Sequence, residues 1–184
     1  MKKTALFQFA LLAVVVGTFL YANQSSDGGH CPMCGRRWDG NNMYDMPVPE
    51  TLPTPQGAWL EDLNEVLALE RLSKDQYMKD SRKFNIRRPY GMVIPQEENH
   101  IAWITDLYNA FGVAVPDSVP PLKETSSAQE ALQAAMTLEQ DLVPIYESLI
   151  RTAGNEQVEQ VINEILLQTR MHYTMFQHAL SMEY

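Results

Sequence analysis

Basic residues are scarce in this chain of 184 residues, which carries 14 Lys and Arg against 23 Asp and Glu and has a net charge of −9. A protein that binds nucleic acid needs positive charge to neutralise phosphates. The acidic balance therefore argues against nucleic acid as a partner. Seven basic residues fall between positions 71 and 88, and we interpret them as a solvated helix face in preference to a docking patch.

Strand patterns are missing as well. Beyond residue 56, no segment alternates apolar and polar residues in the way that a half-buried strand requires. Apolar residues instead recur every three or four positions in four segments, which is typical of amphipathic helices. The sequence therefore predicts an all-α protein. The helical segments span about residues 57–83, 89–112, 127–154 and 155–182.

The connections between these helices indicate the type of bundle. The first and last connections are short, as antiparallel neighbours require. The middle one, residues 112–126, is long enough when extended to span roughly 50 Å, the length of a bundle. A short, long, short order with one crossover is the ferritin-like arrangement. Residues 57–184 are therefore predicted to form a ferritin-like four-helix bundle.

Cysteine occurs only twice, in the sequence HCPMCG at residues 30–35. No histidine follows the second cysteine, which excludes a c-type haem site, and no strand-to-helix setting supports a thioredoxin motif. Two interpretations stay open: a Cys31–Cys34 disulfide or inert thiol pair, or a half-site for zinc or copper assisted by His30. The surrounding residues 23–56 are rich in Gly, Pro and Asn and predict a flexible linker.

A long apolar run occurs only near the N-terminus. Lys2 and Lys3 precede apolar residues 5–22, which is typical of a targeting segment. About 18 apolar residues are also enough to cross a bilayer, with the lysines on the cytoplasmic side. We predict an exported protein, periplasmic or otherwise extracytoplasmic. Residues 1–22 act either as a cleaved signal peptide or as a membrane anchor, which would be the chain's contact with a membrane.

Five ionisable residues interrupt the apolar faces of the four predicted helices. On the second helix a carboxylate and an imidazole lie one turn apart on the apolar face. With a rise of 1.5 Å per residue, all five reach a common level if that helix begins near Pro89 and not at Pro95. Burying unpaired carboxylates is costly, so a cation is expected to hold them together. The predicted metal ligands are Glu70, Glu97, His100, Glu139 and His172.

One ligand of the familiar two-metal pattern is absent. That pattern takes a Glu from each of two helices and Glu-x-x-His from each of the other two. Its sixth position is Thr169, which cannot act as an anionic bridge, although the neighbouring Gln168 offers a neutral oxygen. One metal, two metals and an empty polar core therefore stay open, with iron or manganese as the expected ion. If iron binds, chemistry with oxygen or peroxide would follow, and Tyr77 or Tyr146 would be near enough to relay an electron.

Four motifs, taken in order, resemble a ferritin-like bacterial and archaeal family of unknown function: LERLSKDQY (69–77), EENH (97–100), LEQDL (138–142) and RMH (170–172). The resemblance covers about residues 58–182 and implies a ferritin-like bundle with a metal centre, without an established reaction. The wider group includes rubrerythrin-like peroxide reductases, which pair such a bundle with a rubredoxin-like module. The motif at Cys31 and Cys34 is half of such a module.

These observations leave the activity open. A non-enzymatic protein that handles copper or zinc through its linker, and a purely structural helical protein, remain alternatives to redox chemistry in the bundle. Metal ions are the expected partners of a redox centre in the bundle and of a metal-handling linker. A homodimer also remains open.

Overall fold

The computed structural model describes residues 48–182. Within this range the secondary structure is entirely helical, so the all-α prediction is confirmed. Residues 1–22 and the motif with His30, Cys31 and Cys34 lie outside the described residues. No helix among residues 48–182 is long and apolar enough to cross a membrane. The helices are α1 (Ala58–Phe84), α2 (Tyr90–Phe111), α3 (Ala128–Arg151) and α4 (Glu156–Ser181).

The predicted helix ends are formed by short polar residues and glycine. The Ser127 hydroxyl accepts a hydrogen bond from the Glu130 amide at 3.1 Å and caps α3. Asn155 accepts from two amides in the first turn of α4, at 2.9 and 3.1 Å. Such caps satisfy amides that have no partner within the helix. Gly112 ends α2 with φ 65°, a left-handed conformation that favours glycine.

The residue at which α2 begins determines how far along the bundle its polar residues lie. The helix begins at Tyr90, directly after Pro89, and Pro95 lies inside it. Proline has no amide hydrogen, so Pro95 leaves the Gly91 carbonyl without its usual helical partner. The helix continues in spite of this loss. The two turns before Glu97 are therefore helical. This is what the sequence analysis required for the five predicted ligands to lie at a common level.

The four helices form a bundle with one diagonal connection. α1 packs against α2 and α3, and α4 packs against the same two helices. α2 and α3 therefore lie diagonally across the bundle, and residues 113–126 connect them as the predicted crossover. This segment follows α1. The Gln76 side chain donates to the Lys123 carbonyl at 3.1 Å and accepts from the Lys123 amide at 2.8 Å. The Thr125 hydroxyl donates to buried Asp80 at 2.6 Å.

Basic residues of α1 hold the same crossover. Lys79 pairs with Glu124 at 2.6 Å, the Arg71 guanidinium donates to the Pro116 carbonyl, and Lys83 also pairs with Glu124, at 3.4 Å. Lys83 is exposed and Arg71 and Lys79 are half-buried, so this part of the basic run lies on a partly solvated helix face that also contacts the crossover. The positive charge of these three residues docks a segment of the same chain.

The segment before α1 is also packed. The Leu52 amide donates to the Ala110 carbonyl at 2.8 Å, and the Thr54 hydroxyl donates to the Phe111 carbonyl at 3.0 Å. Val48 and Leu52 lie against the hydrophobic core. Part of the predicted linker, residues 48–56, therefore belongs structurally to the bundle. Its few apolar residues have no periodic spacing, so the sequence pattern does not reveal this packing.

The core consists of two hydrophobic clusters with polar residues between them. One cluster contains the N-terminal part of α1 and the C-terminal part of α2, and the other contains the opposite parts. α3 and α4 divide between the clusters in the same way. At the change from one cluster to the other, every helix places buried polar side chains, which we call the polar layer. Its members are Glu70, Glu97, His100, Glu139, Thr169 and His172.

Candidate metal centre

The structure brings all five predicted ligands into the polar layer, one or two from each helix. α1 supplies Glu70, α2 supplies Glu97 and His100, α3 supplies Glu139, and α4 supplies His172. None is more than 1% exposed. The layer is fully buried between the two hydrophobic clusters, so its charges interact in a medium of low dielectric constant.

The five residues form two groups that share one carboxylate. His100 Nδ1 lies 3.1 Å from Glu70 Oε2 and 3.9 Å from Glu97 Oε2. On the other side, His172 Nδ1 lies 2.9 Å from Glu97 Oε1 and 3.6 Å from Glu139 Oε2. Within each group, one nitrogen and two carboxylate oxygens lie within 4.8 Å of one another. Glu97 therefore belongs to both groups.

Glu70 and Glu139, which we call the outer carboxylates, each accept a hydrogen bond from a tyrosine. The Tyr77 hydroxyl donates to Glu139 Oε1 at 2.6 Å, and the Tyr146 hydroxyl donates to Glu70 Oε1. Burial and the nearby carboxylate raise the pKa of both phenols well above the usual value. Both tyrosines are thus neutral hydrogen-bond donors. Each leaves the second oxygen of its carboxylate facing a histidine.

A glutamine binds the far nitrogen of each histidine. His100 Nε2 lies 3.2 Å from Gln168 Oε1, and His172 Nε2 lies 2.8 Å from Gln96 Oε1. The Gln168 oxygen, which the sequence suggested as a neutral ligand, faces the His100 ring in this structure. The sequence analysis missed Gln96 entirely. Its position four residues before His100, matching Gln168 four residues before His172, was the available signal.

The polar layer has an internal repeat. In both the α1–α2 pair and the α3–α4 pair, a tyrosine follows the glutamate by seven residues and a glutamine precedes the histidine by four. The contacts are reciprocal: the tyrosine and the glutamine of one pair bind the glutamate and the histidine of the other. This is the pattern of a two-fold axis. The matched residues are Glu70 and Glu139, Tyr77 and Tyr146, Gln96 and Gln168, and His100 and His172.

One matched position breaks the repeat. Glu97 lies three residues before His100, and the residue three before His172 is Thr169. The Thr169 hydroxyl donates to the Ile165 carbonyl of its own helix at 3.0 Å. As the sequence suggested, it supplies no anionic oxygen. Glu97 is thus the one carboxylate placed between the two halves.

The charged groups of the layer shift one another's pKa values. Burial raises the pKa of Glu70, but the charge of His100 and hydrogen bonds, including that from Tyr146, outweigh it and lower this pKa to about 2. Burial lowers the pKa of His100, but the charge of Glu70 and its hydrogen bond raise it above the usual value. Burial and the charges of Glu70 and Glu139 raise the pKa of Glu97 well above its usual value. The layer therefore opposes the ionisation of the central carboxylate.

Four buried atoms of the layer have no hydrogen-bond partner: both oxygens of Glu97, Glu139 Oε2 and His172 Nδ1. The 2.9 Å approach between His172 and Glu97 lacks the angle of a hydrogen bond. Buried polar atoms are normally bonded, so four exceptions at one place need an explanation. Carboxylate oxygen and imidazole nitrogen are also common ligands of iron, manganese and zinc. The residues present therefore fit a metal ion, which these four atoms would bind.

Comparison with solved structures identifies the fold. Neither a protein-family model nor a curated protein sequence matches the chain. A bacterioferritin of Mycobacterium tuberculosis superimposes with a TM-score of 0.63 and 17% identity, covering 70% of this chain and 87% of the other. A ferritin-like diiron-carboxylate protein from Bacillus anthracis gives 0.59 and 19%, covering 66% and 94%. A conserved hypothetical protein from Mycobacterium tuberculosis gives 0.61 and 17%, covering 68% and 99%.

The chain therefore has the ferritin-like four-helix fold. At identities below 20% the likeness establishes the fold alone. The resemblance to ferritin-like proteins that the four sequence motifs predicted is confirmed at that level. What the centre binds has to be argued from its own side chains.

Proposed function

We propose that this protein is an exported ferritin-like protein that binds iron in its polar layer. The observation that carries the proposal is the set of four buried ligand atoms without a hydrogen-bond partner, contributed by Glu97, Glu139 and His172. Three carboxylates and two imidazoles balance poorly without a cation. One or two positive ions would satisfy the free atoms and neutralise the carboxylates together.

Iron is the ion that the comparisons favour. The Bacillus anthracis protein is described as a diiron-carboxylate protein, and the Mycobacterium tuberculosis protein as a bacterioferritin. The mixed oxygen and nitrogen set in the polar layer suits iron, and manganese would use the same ligands. Glu70, Glu97 and His100 would hold one ion, and Glu97, Glu139 and His172 would hold the other.

Bound iron would supply one-electron redox chemistry, with dioxygen or a peroxide as the oxidant. The chain's own residues define the conditions for it. The hydrophobic clusters bury the layer from both sides. Tyr77 and Tyr146 hold the outer carboxylates in position through their hydroxyl hydrogens. Both phenols also lie close enough to the layer to act as electron relays.

Export is the second part of the proposal. Lys2 and Lys3 followed by the apolar residues 5–22 support a targeting segment. Fractionation of cells that produce the full-length chain, with an antibody against the bundle, tests it. An extracytoplasmic or membrane fraction is expected, and retention in the cytosol would contradict export.

The metal proposal is tested by elemental analysis of the full-length chain after anaerobic incubation with ferrous iron. We expect the wild type to retain iron through gel filtration and Glu97→Gln to retain little, since Glu97 belongs to both groups. Glu98→Gln is the matched control, because Glu98 is the exposed neighbour on the same helix. Its iron content should equal that of the wild type.

Two further results separate the alternatives. A chain with Cys31→Ser and Cys34→Ser should keep its iron, because the cysteines take no part in the proposed centre. If these substitutions remove the metal while Glu97→Gln does not, the linker motif is the site. If no chain binds iron or manganese, the polar layer is a structural feature and the proposal fails.

A further inference from the structure

The orientation of Gln168 determines which nitrogen of His100 carries a hydrogen. The Gln168 amide nitrogen donates to Glu164 Oε1 at 3.1 Å, inside the bundle. Because that nitrogen is committed to a carboxylate, the Gln168 oxygen is the atom that faces His100 Nε2, at 3.2 Å. An amide oxygen only accepts hydrogen bonds. His100 Nε2 must therefore be protonated, whatever the state of Nδ1.

The second histidine also faces a glutamine oxygen, which comes from the opposite pair of helices. His172 Nε2 lies 2.8 Å from Gln96 Oε1. Its Nδ1 points into the layer, has no hydrogen-bond partner and lies within 3.6 Å of both Glu97 and Glu139. The two imidazole rings are nearly parallel, with centroids 5.5 Å apart and an angle of 23° between their planes. Both rings thus turn Nε2 toward a glutamine and Nδ1 toward carboxylates.

We propose that Gln96 and Gln168 are positioning residues that keep Nε2 of His172 and His100 protonated and so reserve Nδ1 of both rings as the metal-binding atom. The inference that Nδ1 binds metal rests on the proposed function. The inference that Nε2 carries a hydrogen rests on the hydrogen bonds alone. Metal-binding histidines usually need a partner of this kind to fix the ring. Here the partner is a neutral amide from the other half of the repeat.

A neutral partner has a chemical consequence. A carboxylate in this place would draw the Nε2 hydrogen toward itself and make the imidazole a stronger electron donor. A glutamine fixes the ring without adding negative charge to a layer that already contains three carboxylates. The two glutamines therefore orient the histidine rings without changing the charge of the centre.

The inference is tested on the full-length chain with zinc as a diamagnetic probe and ¹⁵N-labelled histidine. Two-bond ¹H–¹⁵N correlations should show zinc on Nδ1 and hydrogen on Nε2 for both His100 and His172. Gln96→Leu and Gln168→Leu should each lower zinc affinity by roughly 10- to 100-fold. Gln177→Leu is the control, because Gln177 lies on α4 and is exposed. Its affinity should match the wild type.

A conservative variant distinguishes positioning from packing. Gln96→Glu keeps an accepting oxygen opposite His172 Nε2 and should restore the affinity lost in Gln96→Leu. Zinc on Nε2 of either histidine, or leucine variants that bind zinc as well as Gln177→Leu does, would overturn the inference. Circular dichroism of each variant checks that the bundle is folded.

Measurements on the metal-free chain test this inference independently of the proposed function. A wild type that binds no metal would end the metal proposal, yet the Nε2 hydrogens would still be measurable. In that form the His172 Nε2 hydrogen should exchange slowly with solvent in the wild type and faster in Gln96→Leu. Equal exchange in both would show that Gln96 does not hold it.

Discussion

Thr169 occupies the position at which a second bridging carboxylate would complete the repeat of the polar layer. Its counterpart Glu97 supplies the one carboxylate shared by the two groups of ligands. Two divalent ions would carry four positive charges against the three carboxylates present. Burying unbalanced charge is unfavourable, so the second ion is expected to bind more weakly than the first.

Thr169→Glu should therefore strengthen binding of the second ion. The added carboxylate balances the charge of two ions, and we expect the second dissociation constant to fall by about tenfold or more, or about 1.4 kcal/mol. Without metal, the same change adds a fourth buried carboxylate and should lower the melting temperature. Titration calorimetry with ferrous iron and thermal unfolding measure the two effects.

Thr169→Gln is the control for that substitution. It has nearly the same shape as Thr169→Glu but adds no charge, so the second ion should gain little. Equal gains from both variants would mean that packing at position 169, and not charge, limits the second site.

At the scale of helices and connections, the crossover is held by contacts that no local pattern encodes. The buried Gln76 side chain forms two hydrogen bonds with the Lys123 backbone and a third with Asp80 at 2.8 Å. Asp80 in turn accepts from Thr125. This network attaches residues 113–126 to α1 near the place where α3 begins.

Gln76→Ala should loosen the crossover and leave the polar layer intact. Losing these hydrogen bonds and leaving Asp80 partly unsatisfied should cost about 1–3 kcal/mol of unfolding free energy. Denaturant unfolding measures the loss, and limited proteolysis should show faster cleavage within residues 113–126. Gln133→Ala, on the exposed face of α3, should change neither result. Unchanged proteolysis of Gln76→Ala would show that other contacts hold the segment.

The difference between local contacts and contacts between distant residues explains how much of the fold and of the site could be predicted. Helix ends at Ser127, Asn155 and Gly112 depend on neighbouring residues, so the sequence is enough to place them. The common level of the five ligands follows from helix geometry, once α2 is taken to start near Pro89. The docking of Lys79 and the role of Gln96 depend on residues 45 and 76 positions away. No local spacing contains that information.

At the scale of the whole described bundle, the polar layer separates two hydrophobic clusters. Buried carboxylates without partners lower the stability of a metal-free protein. The raised pKa of Glu97 reflects this cost, which arises from burial and from the charges of Glu70 and Glu139. Stability and metal binding should therefore respond in opposite directions when this carboxylate is removed.

Glu97→Leu is expected to stabilise the metal-free protein by about 1 kcal/mol or more, since it removes a buried carboxyl group that has no hydrogen-bond partner and lies near two other carboxylates. For a domain of this size that corresponds to a rise in melting temperature of about 2–4 °C per kcal/mol. Iron should reverse the order. The wild type would gain about 4 kcal/mol at a thousand times the dissociation constant, whereas the variant would gain little.

The comparison is made by calorimetric unfolding with and without ferrous iron under anaerobic conditions. Glu98→Leu, on the exposed side of the same turn, should change stability by less than about 0.5 kcal/mol and keep the full response to iron. A metal-free Glu97→Leu chain that unfolds at a lower temperature than the wild type would mean that Glu97 is stabilised by His100 and His172 alone. The cation would then be unnecessary to explain why three carboxylates meet inside this bundle.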